Sequence, residues 1–288
     1  MNRSRSIIVG AFIVLIAVYA GFKIYAAGIA KEKIDTALVG VEAFVKVEYN
    51  DVSVDLLNRN VHITDVVILP ADSQEPLNIA EVVIYDIDQT SQIPTFLEIA
   101  ANGIEIVPDK KDAQTWQELG ISDKIKLDFS GSYQYENDSN QLNLDKINFR
   151  GQDIGELNMD LFLGDLPGMT NGLAGLLFTY PMITLHRARI NIKPDASLIE
   201  RYMEVEAANE NKSVDELKKE AFEGIDKQIA LVNKDFMRDA LEALKDFIDN
   251  PDQLSISLAP DRPLSIQELV KMNGPVRVAE ELKLSVTN

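Results

Sequence analysis

The chain has no cysteine, one tryptophan, two histidines, and only 28 Lys and Arg against 46 Asp and Glu in 288 residues. Each scarcity excludes something. Without cysteine there is no disulfide framework, thiolate metal site or thiol nucleophile. A formal net charge of −18 removes the basic footprint that electrostatic nucleic-acid binding requires, so no nucleic-acid partner is expected. The 15 Gly and 11 Pro follow no period, which excludes collagen-like order. Catalytic signatures are missing too: there is no G-x-x-x-x-G-K-[ST], no G-x-G-x-x-G after a strand, no G-x-S-x-G and no H-E-x-x-H. At 46% hydrophobic residues, there is still ample material for a packed core over one or two domains.

The charge is distributed unevenly. Every acidic residue lies at or after Glu32, while Arg3, Arg5 and Lys23 fall within the first 23 residues. The leader therefore carries +3, and the remainder, with 25 basic residues against 46 acidic, carries −21. Within the leader, residues Ile7 to Phe22 form an uncharged run of 16, IIVGAFIVLIAVYAGF. As a helix it reaches roughly 24 Å, and continuing to Ala30 gives roughly 36 Å, enough for a hydrocarbon core of about 30 Å. The expected anchor residues are Ile7, Phe12, Leu15, Tyr19, Phe22 and Lys23. The Lys23 stem would snorkel to the headgroups, with Tyr19 and Tyr25 in the interfacial belt. A cleaved signal peptide is the rival reading, but Val18-Tyr19-Ala20 and Gly28-Ile29-Ala30 are poor small-x-small sites. Arg3 and Arg5 favour a cytoplasmic N-terminus, although Lys31 and Lys33 blunt the contrast. The expected layout is a cytoplasmic stub at 1–6, a transmembrane helix at 7–30, a β-rich periplasmic region at 31–194 and, as part of the same domain, a helical region with returning strands at 195–288. The compartment implied is a bacterial inner membrane with the body in the periplasm.

The body reads as α+β: an antiparallel β-rich domain with a long amphipathic helix on or beside the sheet. VKVEY (45–49) and DVSVDLL (51–57) alternate as strands do. Apolar residues then recur at i, i+2, i+5 and i+7: Val61, Ile63, Val66, Ile68; Leu77, Ile79, Val82, Ile84; and Leu142, Leu144, Ile147, Phe149. Strict alternation would place the third member at i+4, so each segment needs a bulge or kink to return to one face. Ile125, Leu127, Phe129, Tyr133 and Tyr135, the turn at 136–140, and Leu157, Met159, Leu161 and Leu163 complete an antiparallel meander with one apolar face. The candidate apolar groove on that face comprises Phe129, Tyr133, Leu144, Phe149, Met159 and Leu161. A small helix is expected at Ala113–Leu119 and another at Ser197–Ala208. Ser213-Val214-Asp215-Glu216 is a capping box opening a helix to about Ile248, about 35 residues or roughly 52 Å. Its stripe Phe222, Ile225, Ile229, Val232 and Phe236 is a candidate partner-docking face. A strand at Leu254–Leu258, a helix at Ser265–Met272 and a strand at Leu284–Val286 finish the chain.

No constellation supports catalysis, a metal or another cofactor. His62 and His186 sit on strand-like segments without a positioned partner, and Asp86, Asp88, Asp153 and Glu156 read as solvated carboxylates. Gly168, Gly172 and Gly175 precede the apolar run 173–178, which reads as a turn into a short buried helix or as a membrane-touching loop.

Three features coincide: the anchor, the kinked strands, and the segments Asp153-Ile154-Gly155-Glu156-Leu157-Asn158-Met159 and Asp249-Asn250-Pro251-Asp252-Gln253-Leu254-Ser255-Ile256-Ser257. Together they resemble proteobacterial, inner-membrane-anchored periplasmic proteins of the AsmA-like kind and their uncharacterised relatives. That resemblance implies a β-rich fold with a hydrophobic groove and a role in envelope or lipid homeostasis. The helix 214–248 departs from it. The leading expectation is a non-enzymatic single-pass envelope protein that binds lipid or a membrane-protein partner. The alternative is a structural or accessory subunit of an inner-membrane complex. A hydrolase would need Ser132 or Asp153 to meet His186 in one cleft.

Overall fold

The computed structural model describes residues 45–55, 57–70, 76–88, 94–107, 115–121, 124–166 and 180–288. The expected anchor, with Ile7, Phe12, Leu15, Tyr19, Phe22 and Lys23, lies outside the described residues, as does the apolar run 173–178. Among the described residues no helix is long and apolar enough to cross a membrane. The chain divides into two compact units. The described part of the first is 45–106 with Lys126–Tyr135; the second is Val107–Ile125 with Glu136–Asn288.

The first unit contains β1 (Val45–Glu48), β2 (Asp51–Val54), β3 (Val61–Pro70), β4 (Leu77–Ile87), β5 (Phe96–Ile106) and β6 (Ile125–Glu136). Their order in space is β1-β3-β4-β5-β6, with β2 also paired to β3. The expected kinks are present. Val61 faces Ile84 and Ile63 faces Val82, yet beyond Thr64 and Glu81 the facing pairs become Val66 with Ile79 and Ile68 with Leu77. The face is recovered because Asp65 takes φ 51° in β3 and Gly103 takes φ 63° in β5. One left-handed residue re-aims the strand by one position. Glycine suits this step on two counts, the positive φ and a Cβ that would lie 3.0 Å from the Cβ of Ala80; the Gly103 amide also donates to Asp128 Oδ1 at 2.8 Å. The recovered face is a filled core in which Ile68 and Val82 are 0% exposed. Each such side chain contributes about 1.5–3 kcal/mol through burial.

The second unit is α+β. Strands β7 (Gln141–Gly151), β8 (Gly155–Gly164), β9 (Thr184–Pro194), β10 (Leu254–Leu258) and β12 (Ser285–Thr287) run antiparallel in that order, with β11 (Leu264–Ser265) paired to β9. Here too the kink recurs. Lys146 takes φ 54°, and the β7–β8 register shifts between Leu144 and Ile147. The helices are α1 (Ala196–Asn209), α2 (Val214–Leu231), α3 (Asp235–Asp249), α4 (Ile266–Lys271) and α5 (Pro275–Glu281). Of the expected small helix at 113–119, the described helical turn is 115–118.

One expectation needs correction. The helix expected to run from 214 to 248 is a hairpin of two, broken at Val232-Asn233-Lys234, where Val232 (φ −82°, ψ 129°) and Lys234 (φ −115°, ψ 126°) are extended. Val and Asn are weak helix formers. The break lets α3 fold back on α2, so Lys245 Nζ lies 2.6 Å from Asp226 Oδ1 and 5.6 Å from the centre of the Phe222 ring. A straight helix would have left its apolar stripe without that cover. Strands β10 and β12 extend the sheet from β9, so residues 195–288 group with β7–β9 in the second unit.

Candidate functional site

Cross-strand partners share a face of the sheet, so register identifies the apolar side of the second unit row by row. Phe149, Leu157, Ile192 and Leu254 form one row; Ile147, Met159, Ile190, Ile256 and Val286 form the next. Leu144, Leu161, Ala188 and Leu258 follow, and Leu142, Leu163, Leu185 and Leu264 complete it. Burial along these rows is graded. At the last row the two outer members are buried, Leu264 1% and Leu142 9% exposed, while Leu163 and Leu185 between them are half-buried. Towards the β7–β8 turn it is half-open: Leu144, Phe149, Leu157, Met159, Leu161, Ile190 and Ile192 are all only half-buried. Helix α3 packs on β12 and β10, whereas among the described residues no helix packs comparably on β7 or β8.

The reverse face is polar. Asn148 donates to Glu156 Oε1 at 2.5 Å and to Asn158 Oδ1 at 2.8 Å, and Asn158 donates to the same Glu156 oxygen at 3.0 Å. Asn191 lies opposite Asn158 across the β8–β9 ladder. This asymmetry pins the register, because a slip of one residue would carry the asparagines onto the apolar side.

The six groove candidates therefore separate. Leu144, Phe149, Met159 and Leu161 lie on the half-open face of the second unit. Phe129 and Tyr133 instead pack against the buried cluster of the first unit, and the Tyr133 hydroxyl donates to the Pro94 carbonyl at 3.0 Å. They lie at the margin of that cluster and are themselves half-buried. The docking stripe separates as well: Phe222, Ile225 and Ile229 lie on α2, Val232 in the break, and Phe236 on α3. All five are half-buried.

The residues with catalytic potential have structural duties. His62 Nδ1 donates to Glu81 Oε1 at 2.9 Å, and Asn102 donates to Glu81 Oε2 at 3.1 Å. The His62 hydrogen bond is the main reason that the Glu81 carboxyl sits below its ordinary range. Asp88, 5% exposed, accepts from the Thr95 amide and hydroxyl. His186 lies against the Phe162 ring, 4.5 Å between centroids, at the far end of β8 from Asp153. A strand of that length separates the two by roughly 30 Å, so they share no cleft. Ser132 belongs to the first unit and His186 to the second. Among the described residues no group of three His, Cys, Asp or Glu is placed to hold a metal ion.

One cavity had no sequence signal. It measures about 410 Å³ and is lined by Phe236, Ala279, Leu284 and Val286 together with Asp239, Glu280, Lys283 and Ser285. Its walls come from α3, α5 and β12, which only the tertiary fold brings together. No curated protein matches the chain. A family model described as "Uncharacterized protein" matches residues 148–288, the stretch that contains the half-open face from Asn148 onward and every element that follows it.

Proposed function

We propose that this chain is a non-catalytic, single-pass envelope protein, similar in kind to AsmA-like proteins, whose second unit binds lipid acyl chains on the apolar face of β7–β9. The carrying observation is the half-open face: Leu144, Phe149, Met159 and Leu161 stand in register on one side of the sheet and none reaches core burial. An apolar face left half-buried in this way supports a site where an apolar ligand completes the cover. The apolar run Ile7–Phe22 and the +3 leader support placement in a bacterial inner membrane, N-terminus cytoplasmic and body periplasmic. Organic extraction and mass spectrometry of the full-length protein, purified in a detergent unlike phospholipid, tests the binding. Stoichiometric lipid is expected; its absence from repeated preparations would count against this function.

A second reading rests on its own observation. Helix α2 has no buried residue, and Leu231 at the tip of the hairpin is 80% exposed. That fits an accessory subunit that docks a membrane-protein partner through the α2–α3 hairpin. Crosslinking in native membranes from Leu231 would then trap one discrete partner, and a chain recovered only as monomer would remove this reading.

A further inference from the structure

Exposed apolar side chains concentrate at one corner of the second unit. The 3₁₀ turn Tyr180–Met182 leaves Tyr180 55% and Met182 64% exposed, and on α4 Val270 is 80% exposed. These belong to one patch. The Ile266 amide donates to the Ile183 carbonyl at 3.0 Å, and α4 packs against the 3₁₀ turn. Val270, four residues after Ile266, sits one turn further along the same side of the helix. The chain then passes through Met272-Asn273-Gly274 into α5, where Val276 is 41% exposed.

The charge here departs from the rest of the molecule. In a chain with 46 acidic residues, none occurs from Tyr180 to Pro194 or from Leu269 to Ala279. Lys271 and Arg277 are exposed, and neither forms an ion pair among the described residues. Of the bordering carboxylates, Glu268, Asp165 and Glu280 are engaged, Glu280 by Lys234 Nζ at 2.6 Å, while Glu281 is exposed at the end of α5. Glu268 receives Arg262 Nη2 at 2.8 Å and the Ser265 amide, and Asp165 accepts from the Thr184 hydroxyl at 2.9 Å. Free positive charge beside exposed Tyr, Met and Val matches the interfacial layer of an anionic bilayer. There an aromatic ring with a polar tip sits at headgroup depth and basic side chains meet lipid phosphates. An acidic protein partner would satisfy the charges but not the tyrosine and methionine, and an apolar one would leave both cations unpaired.

We propose that the Tyr180–Met182 turn and the α4–α5 corner form a second membrane contact, seated in the headgroup layer of an anionic bilayer. This rests on the reading of the chain as membrane-anchored. It adds an orientation: the −21 body would meet the membrane through the corner built on the acid-free stretches 180–194 and 269–279, rather than being held off by its charge.

The absence of cysteine makes the test clean, since a single introduced cysteine is the only labelling site. Full-length Met182→Cys and Val270→Cys, each carrying an environment-sensitive fluorophore, are reconstituted into phosphatidylcholine–phosphatidylglycerol vesicles containing spin-labelled quencher lipid. Leu57→Cys and Leu231→Cys, at positions 92% and 80% exposed, are the controls. Expected are a blue shift and lipid quenching at 182 and 270 only. In a Lys271→Ala background, membrane contact at 270 should weaken about fivefold, and pure phosphatidylcholine should abolish it. Equal quenching at all four sites, or none in vesicles that carry the protein, would overturn the second contact. A blue shift without lipid quenching would assign the patch to a second copy or another protein and also overturn it. Protein that fails to float with vesicles would overturn the anchored reading itself, a result distinct from the others.

Discussion

Gly155 shows how a single residue can carry a sheet junction. Its φ of 123° opens β8, and a Cβ would lie 2.3 Å from the Lys193 carbonyl oxygen and 2.6 Å from the Pro194 Cα, both backbone atoms that cannot step aside. Gly155→Ala should therefore cost about 3 kcal/mol or more in urea unfolding. Gly224 in α2 has nothing within 4 Å of a Cβ position, so Gly224→Ala should gain about 0.5–1 kcal/mol. The two glycines look alike in the sequence, because what distinguishes them is a neighbour across the sheet. Glu268 offers a pH test at the same scale. Hydrogen bonds from Arg262 and Ser265 hold its carboxyl at about 2 against an ordinary 4.5. The unfolded chain takes up the proton first on acidification, so this support for α4 is complete above the ordinary value and is lost as pH falls towards 2. The protection of α4 amides against hydrogen exchange, taken relative to the intrinsic rate at each pH, should fall on going from about pH 5 to about pH 3 in the native chain. In Glu268→Gln that protection should already be low at the higher pH and change little.

At the scale of elements, the i, i+2, i+5, i+7 pattern was legible because the apolar residues themselves mark where each strand must re-aim. Asp65 in β3 and Lys146 in β7 provide the left-handed steps within those segments, and Gly103 provides one in the neighbouring β5. The capping box was equally legible, since Ser213 and Glu216 satisfy each other's backbone amides. Ser213→Ala should cost about 1 kcal/mol of stability, measured by urea titration. The break after Leu231 was not legible. The apolar stripe steps from Ile229 to Val232 to Phe236 at helical spacing, so periodicity runs straight through a gap that tertiary packing opens. The two apolar faces also looked equivalent, although one is filled and the other is not. Ile68→Ala, at 0% exposure, should cost about 3 kcal/mol in the same titration. Met159→Ala, half-buried on the open face, should cost about 1 kcal/mol.

For the whole molecule, the sequence announced an α+β body and the strands of the candidate face, but not that Phe129 and Tyr133 lie in a different unit from Leu144, Phe149, Met159 and Leu161. That separation depends on which strands close a core, a property of burial rather than pattern. The net charge of −18 likewise conceals two acid-free stretches, 180–194 and 269–279. The account's central claim is that the β7–β9 face holds lipid acyl chains. Phe149 and Phe162 provide the most direct test, because they occupy opposite faces of the same pair of strands. Full-length protein carrying a benzophenone amino acid at one or the other position is irradiated in native membranes and analysed by mass spectrometry. Lipid adducts at position 149 and none at 162 are predicted; adducts at neither position, or equally at both, would contradict the claim.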